Sequence, residues 1–286
     1  MIKTINYFFQ AIIIYFFFIV GFILRIKISR KIFSYLFSKI GPIFKSKNTI
    51  NKNLNIFSEN ISNLEKDLIT KSMWKNYGMT FIEYIFLKKY RNEKNHVAIF
   101  GNKNLLIPIE ENKPVIFISG HFANFELMSM EITKRNINLA TIYRPLNNFF
   151  LNPLMEYLRK KYICKNQIKK GISGVRDAIE YIKKGYSVAL MIDQRVSEGE
   201  NIFLFGKPAL TTTLPAQLAI KYNLKIIPVS IERKMNEKFE IVFDKEINPQ
   251  NFRNKIELSQ KLNEILENMI KKNPHQWIWT HDRWKQ

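Results

Sequence analysis

From Val115 onward, short apolar runs alternate with longer amphipathic stretches, and this alternation restricts the available folds more than any other feature of the chain. Val115–Ser119, Leu139–Tyr143, Ser187–Ile192, Lys225–Glu232 and Phe239–Phe243 read as strands. Helical spacing appears near Phe122–Lys134, Phe149–Tyr162, Gly174–Lys184 and Leu214–Tyr222, with a last helix near Asn254–Lys272. Strands joined through intervening helices require crossover connections. The pattern therefore predicts an α/β fold, a mixed or largely parallel sheet flanked by helices. Chemistry in such a sheet belongs at the carboxyl ends of its strands. Upstream, Trp74, Tyr77, Phe81, Tyr84 and Ile85 recur at threes and fours, so Asn48–Lys89 reads as helical. With 286 residues, 46% of them hydrophobic, the chain can bury one sizeable core.

The first residues are of another kind. Tyr7–Leu24 is eighteen residues without a charge, the only strongly polar side chain being Gln10. This is about the minimum for a transmembrane helix. Arg25, Lys27, Arg30 and Lys31 follow it where a signal peptide would carry a small-residue cleavage site. A single Lys3 precedes it, so the bias of positive charge predicts a single amino-terminal span with the remainder on the cytoplasmic side. Ile26–Phe44 mixes cations with Ile, Phe, Leu and Tyr and reads as an interfacial helix ended by Gly41-Pro42; an ordinary core helix is the alternative. The domain boundary is accordingly placed between an anchor at 1–47 and a globular part at 48–286.

The net charge of +21 is unevenly placed: nine Lys or Arg and no acid precede Glu59. A basic protein binding nucleic acid or anionic membrane is thus one reading, although a nucleic-acid binder should carry its charge on the globular part. The single cysteine, Cys164, excludes an internal disulfide and a multi-cysteine metal site, and no histidine neighbours it in sequence to activate a nucleophile. No glycine-rich phosphate loop is present, and neither a metal nor an organic cofactor is indicated.

Three polar segments fall where strands should end. Gly120-His121-Phe122-Ala123-Asn124-Phe125-Glu126 follows the first, Tyr143-Arg144-Pro145 the second and Asp193-Gln194-Arg195 the third. A histidine on the turn and a glutamate at the start of the next helix can meet, the carboxylate fixing one ring nitrogen and leaving the other free to take a proton. His121 and Glu126 are therefore the candidate catalytic pair. Arg144, Asp193 and Asn124 are candidates for substrate binding or transition-state stabilisation.

These pieces, with Phe205-Gly206-Lys207-Pro208, Pro215-Ala216, Ile227-Pro228-Val229 and Trp279-Thr280-His281-Asp282-Arg283-Trp284, resemble the lipid A biosynthesis late acyltransferases of Gram-negative inner membranes, a family with a His-x4-Asp/Glu motif. The likeness runs over nearly the whole chain in order. Ala123 and Phe125 stand where that family often has Gly and Trp, and Arg195 where an acid or lysine is frequent. The resemblance implies transfer of a fatty acyl group from acyl carrier protein to a hydroxyl of a lipid A precursor that usually carries Kdo sugars, at the inner membrane. In that reaction the acceptor hydroxyl is the nucleophile, so neither Ser nor Cys need carry the acyl group. The expected partners are acyl carrier protein, the lipid A precursor and inner-membrane lipids, with no nucleic acid. Six cations without an acid in Arg159–Lys170 suit acidic partners of this kind. A glycerolipid, aminolipid or other glycolipid acceptor is the alternative within the same chemistry.

Overall fold

The computed structural model describes residues 2–44, 47–93, 95–236 and 238–285. The chain opens with α1 (Ile2–Ile23), α2 (Arg25–Phe44), α3 (Lys47–Phe57) and α4 (Asn63–Glu83), then a 3-10 turn at Tyr84–Phe86 and the short α5 (Leu87–Asn92). There follow β1 (Val97–Phe100), α6 (Asn102–Glu110), β2 (Ile116–Ser119), α7 (Glu126–Lys134), β3 (Leu139–Tyr143), α8 (Asn152–Tyr162), β4 (Asn166–Lys169) and α9 (Ile172–Lys183). The remainder is β5 (Ser187–Met191), β6 (Glu200–Leu204), β7 (Lys207–Thr211), α10 (Leu214–Tyr222), β8 (Ile226–Arg233), β9 (Phe239–Phe243) and α11 (Lys255–Lys272).

Seven strands form one sheet in the order β1-β9-β8-β2-β5-β3-β4, and β6 and β7 pair as a separate hairpin. The five strands from β8 to β4 are mutually parallel. β9 runs antiparallel to β8, and β1 parallel to β9, so the sheet is mixed. β2 is buried at every position, as a central parallel strand covered by helices on both faces must be. The expected strands are all present; β1, β4, β6 and β7 are additional. The helix expected from Phe122 starts only at Glu126, because residues 121–125 form a tight turn with Ala123 at φ 45°.

The amino-terminal region is more closely joined to the domain than a boundary at residue 47 suggests. Arg25, at φ 62°, reverses the chain between α1 and α2. α2 lies along α4 at close range, because both helices spend glycine at the crossing. A Cβ on Gly78 would stand 2.2 Å from the Phe33 carbonyl oxygen, and one on Gly41 would stand 2.3 Å from the Trp74 ring. Helix α2 accordingly runs through Gly41-Pro42 to Phe44 where a stop was expected; close packing on Trp74 outweighs the lost amide. Its inner face buries Ile26, Arg30 and Phe33, whereas Ile28, Ile32, Tyr35 and Ile43 remain exposed among Lys27, Lys31 and Lys39. α1 is long and apolar enough to cross a membrane, and most of its surface is exposed. It does not stand apart: Phe18 packs on Phe81, Phe17 on Phe33, and Gly21 on Ile82.

Candidate active site

β2 and β5 are adjacent parallel strands in which Ser119 is the register partner of Met191. The chain continues two residues beyond each to His121 and Asp193, so strand register alone brings the two side chains to the same edge of the sheet. His121 Nδ1 lies 2.7 Å from Asp193 Oδ1. Asp193 Oδ2 accepts from the His121 backbone N–H at 2.7 Å and from the Trp277 indole N–H at 2.8 Å. One carboxylate thus fixes both the ring and the backbone of His121. Burial by itself would raise the Asp193 carboxyl, but the His121 charge and these donors outweigh it and bring it down to about 2. Burial by itself would disfavour the His121 imidazolium; Asp193 outweighs it, and the ring titrates above its ordinary 6.5. The ring retains 20% exposure and stacks edge-on against Phe125, and among the described residues no hydrogen bond reaches Nε2.

Glu126 is therefore not the residue that fixes the imidazole. Its Oε1 accepts from Tyr84 Oη at 2.5 Å and from Arg159 Nε at 2.7 Å, with Arg159 Nη2 at 2.6 Å. The physical reason is local geometry: Ala123 in the left-handed region turns the chain sharply, and Glu126 starts α7 facing α8 and the Tyr84 turn. Its charge still acts on His121, as does that of Arg159. Arg159 lies over the rings of both Tyr84 and Tyr143. Burial opposes its charge, but Glu126 and Tyr84 outweigh that and hold the guanidinium above its ordinary range. Burial and the Glu126 charge raise the Tyr84 hydroxyl in turn.

Asn124 points away from the pair. It is 1% exposed, and its Nδ2 donates to Glu83 Oε2 at 2.8 Å. Glu83, wholly buried, also takes Arg30 Nε on Oε1 at 2.6 Å and both terminal nitrogens of Arg233, with Nη2 to Oε2 at 3.0 Å. Arg30, one of the cations that follow the apolar span, is thus an interior ion-pair member that also donates to Tyr90. Arg233 continues the network to Asn76 and Thr80, and Thr80 donates to the Ala123 carbonyl at 2.9 Å. Ala123 N–H donates to the Gln276 carbonyl at 3.3 Å, so the strained turn is held from both sides. Arg144 is exposed, and its charge acts on Lys170, whose ammonium is lowered by burial and then by Arg144. Cys164 is buried and its thiol pushed up to about 11 by burial, which keeps it a thiol near neutrality.

The sequence does not mark Tyr84, Glu83, Arg159, Arg233 or Trp277 as members of the site. The tail has a further function. Arg283 donates to Leu210 O and Thr211 Oγ1, Trp284 to Leu204 O, and His281 Nε2 accepts the Arg195 N–H at 2.8 Å, which ties the loop after Asp193 to residues 276–284. Among the described residues no cluster of His, Cys, Asp or Glu has a metal-binding arrangement.

A carboxylate-fixed imidazole at the carboxyl ends of parallel strands, with a second carboxylate–guanidinium pair beside it, is the layout of an α/β enzyme that moves a proton during group transfer. Residues 2–286 match the family profile described as bacterial lipid A biosynthesis acyltransferase, and the chain belongs to that family. It is 23% identical over 276 residues to the lipid A biosynthesis palmitoleoyltransferase of Escherichia coli (strain K12), covering 92% of this chain and 88% of that one. The lipid A biosynthesis acyltransferase of Shigella flexneri gives the same 23% over 276 residues. Among solved structures, the 1-acyl-sn-glycerophosphate acyltransferase PlsC of Thermotoga maritima aligns with 89% of this chain and 100% of its own, at 15% identity and a TM-score of 0.44.

Proposed function

We propose that the protein transfers a fatty acyl group from acyl carrier protein to a hydroxyl of a lipid A precursor, on the cytoplasmic side of the inner membrane, with His121 as general base. The observation that carries the reading is the His121–Asp193 pair: Nδ1 is tied to a buried carboxylate at 2.7 Å, which leaves Nε2 the nitrogen able to accept a proton. The acceptor hydroxyl attacks the thioester carbonyl while Nε2 takes its proton. The tetrahedral oxyanion then collapses with cleavage of the C–S bond, and the departing thiolate takes the proton from the imidazolium. Asp193 stabilises that imidazolium. Arg159, a cation held against Glu126, supplies positive potential beside the ring for the oxyanion. Glu126 retains a place in the site by setting the Arg159 fork. No acyl-enzyme is required, and the buried Cys164 is unsuited to carry one.

The test is transfer from radiolabelled lauroyl- or myristoyl-acyl carrier protein to Kdo-bearing lipid A precursor by the full chain, with His121→Ala and Asp193→Ala as comparisons. A new lipid made by the native protein and lost in both variants at equal abundance supports the reading. No transfer by folded native protein to this acceptor overturns it and moves the assay to glycerolipid and aminolipid acceptors.

A further inference from the structure

Helix α1 touches the rest of the chain through one stripe. Ala11, Phe18 and Gly21 are buried and Tyr7, Ile14 and Phe17 half-buried, whereas Phe9, Ile13, Phe16 and Ile19 on the other sides are exposed. The stripe lies on two segments that also build the site. One is the 3-10 turn bearing Tyr84, the Glu126 partner. The other is the loop after β3. In that loop, Asn148 Nδ2 donates to the Tyr7 carbonyl at 2.8 Å, and Tyr15 Oη donates to the Phe150 carbonyl at 2.9 Å. The Tyr7 and Phe149 rings meet edge-on at 6.1 Å, and those of Phe8 and Phe150 at 5.5 Å. The loop nonetheless leaves Leu146 40% and Phe149 52% exposed, and Phe149 stands against Tyr7 of α1.

We propose that the Arg144–Phe150 loop is a lipid-inserted lip of the active site, entering the bilayer with the outer face of an α1 that lies along the domain from Tyr7 to Gly21 and does not cross to the far leaflet, and keeping Arg144 at headgroup depth. Two observations select a bilayer as the occupant, and a third sets the loop beside the site. The loop's apolar side chains continue a helix whose exposed positions from Phe8 to Ile23 are apolar or aromatic apart from Gln10, a pattern suited to an isotropic apolar solvent and not to one protein partner. Arg144 and Lys170 lie together at the base of the loop, the Lys170 backbone N–H donating to the Tyr143 carbonyl at 2.8 Å, and although the charge of Glu198 also acts on Lys170, anionic headgroups would meet an excess of positive charge there. The loop also follows Tyr143, whose ring lies under Arg159, so the lip borders the groups that hold Glu126. The consequence for turnover rests on the acyl-transfer reading: the acceptor lipid would pass between leaflet and site without crossing water.

The test uses the full chain in vesicles of phosphatidylethanolamine and phosphatidylglycerol with acyl-chain-brominated lipid, and an environment-sensitive thiol dye on Phe149→Cys. Buried Cys164, its thiol pushed up to about 11, leaves the introduced cysteine as the reactive one. Phe16→Cys on the outer side of α1 reports insertion of that helix. Ile109→Cys, 52% exposed at the end of α6 and near the opposite ends of the strands, reports the surface away from lipid. The expected result is that dyes at 16 and 149 lose most of their fluorescence and the dye at 109 keeps it. Quenching at 16 without 149, or equal behaviour at 149 and 109, overturns the proposal. The readout needs no acyl transfer, so its failure leaves the acyl-transfer reading standing, and failure of that reading leaves the lip standing.

Discussion

Asp193 holds His121 twice, through the ring at Nδ1 and through the backbone amide, each at 2.7 Å. The two residues are 72 positions apart in the chain and meet because β2 and β5 are neighbours in register. Fixing ring and backbone with one carboxylate sets the direction in which Nε2 points as well as its basicity. Replacing Asp193 by Asn removes the charge that favours the imidazolium and permits the other tautomer. Acyl transfer should fall by about a hundredfold or more, the usual range for lost general base function, with protein abundance retained. Steady-state transfer rates beside a thermal melt check this; a fall under about threefold would remove Asp193 from the mechanism.

The proposed general-base step needs a neutral imidazole, and the His121 pKa lies above 6.5, so kcat/KM should rise with pH along a limb centred above that value. Stability runs the other way for this group. A histidine whose pKa is raised on folding contributes stability that is complete below 6.5 and lost as pH rises through the folded value. Asp193, lowered from 3.8 to about 2, contributes stability that is complete above 3.8 and lost as pH falls toward 2. A pH profile of rate together with melts across the same range separates the two effects.

Trp277 is buried and donates its indole N–H to Asp193, so its effect on His121 should run through that carboxylate. Trp277→Phe keeps the buried ring and deletes the indole donor at 2.8 Å, so the Asp193 carboxylate loses one of its stabilising hydrogen bonds. The acid limb of kcat should shift while KM for the acyl donor stays nearly constant. A change in KM alone, with the limb unmoved, would assign Trp277 to packing only.

Glu83 carries two guanidinium groups in the interior, and Glu83→Gln leaves both short of a counter-charge. Removing one partner of a buried ion pair costs about 3–5 kcal/mol, so the variant should melt well below the native chain in the same detergent. The damage should extend to activity, because Asn124 and the Ala123 turn lean on this cluster.

Gly78→Ala places a methyl 2.2 Å from the Phe33 carbonyl oxygen, a contact with backbone that no side-chain rotation relieves. The α2–α4 crossing must open, at a cost of about 1–3 kcal/mol or more, detectable as a lowered denaturation midpoint. Ala at Gly206 is a contrast on steric grounds, since a Cβ there meets nothing within 4 Å; it costs only what its φ of 67° imposes.

How far the sequence could be read depends on how local each signal was. β2, β3, β5, β8 and β9 declared themselves as apolar runs bounded by turns. β4 did not, because Asn166-Gln167-Ile168-Lys169 is an edge strand with a single buried apolar residue. His121 was found from its place after an apolar strand. Its partner was misassigned because Glu126 is five residues away along the chain, whereas the adjacency of β2 and β5 depends on strand order, which no local pattern encodes. Arg30 carries the same lesson. Beside Lys27 and Lys31 it reads as one more surface cation, and only the fold shows Glu83 opposite it.

The hold of Trp277 on Asp193, and of Arg283 and Trp284 on the β6–β7 hairpin, also bears on the order of synthesis. Residues 1–44, with the apolar helix, leave the ribosome long before residues 276–284. A nascent chain can therefore reach lipid while its imidazole is still unsupported. Attachment would come first, and the support of Asp193 by the tail last.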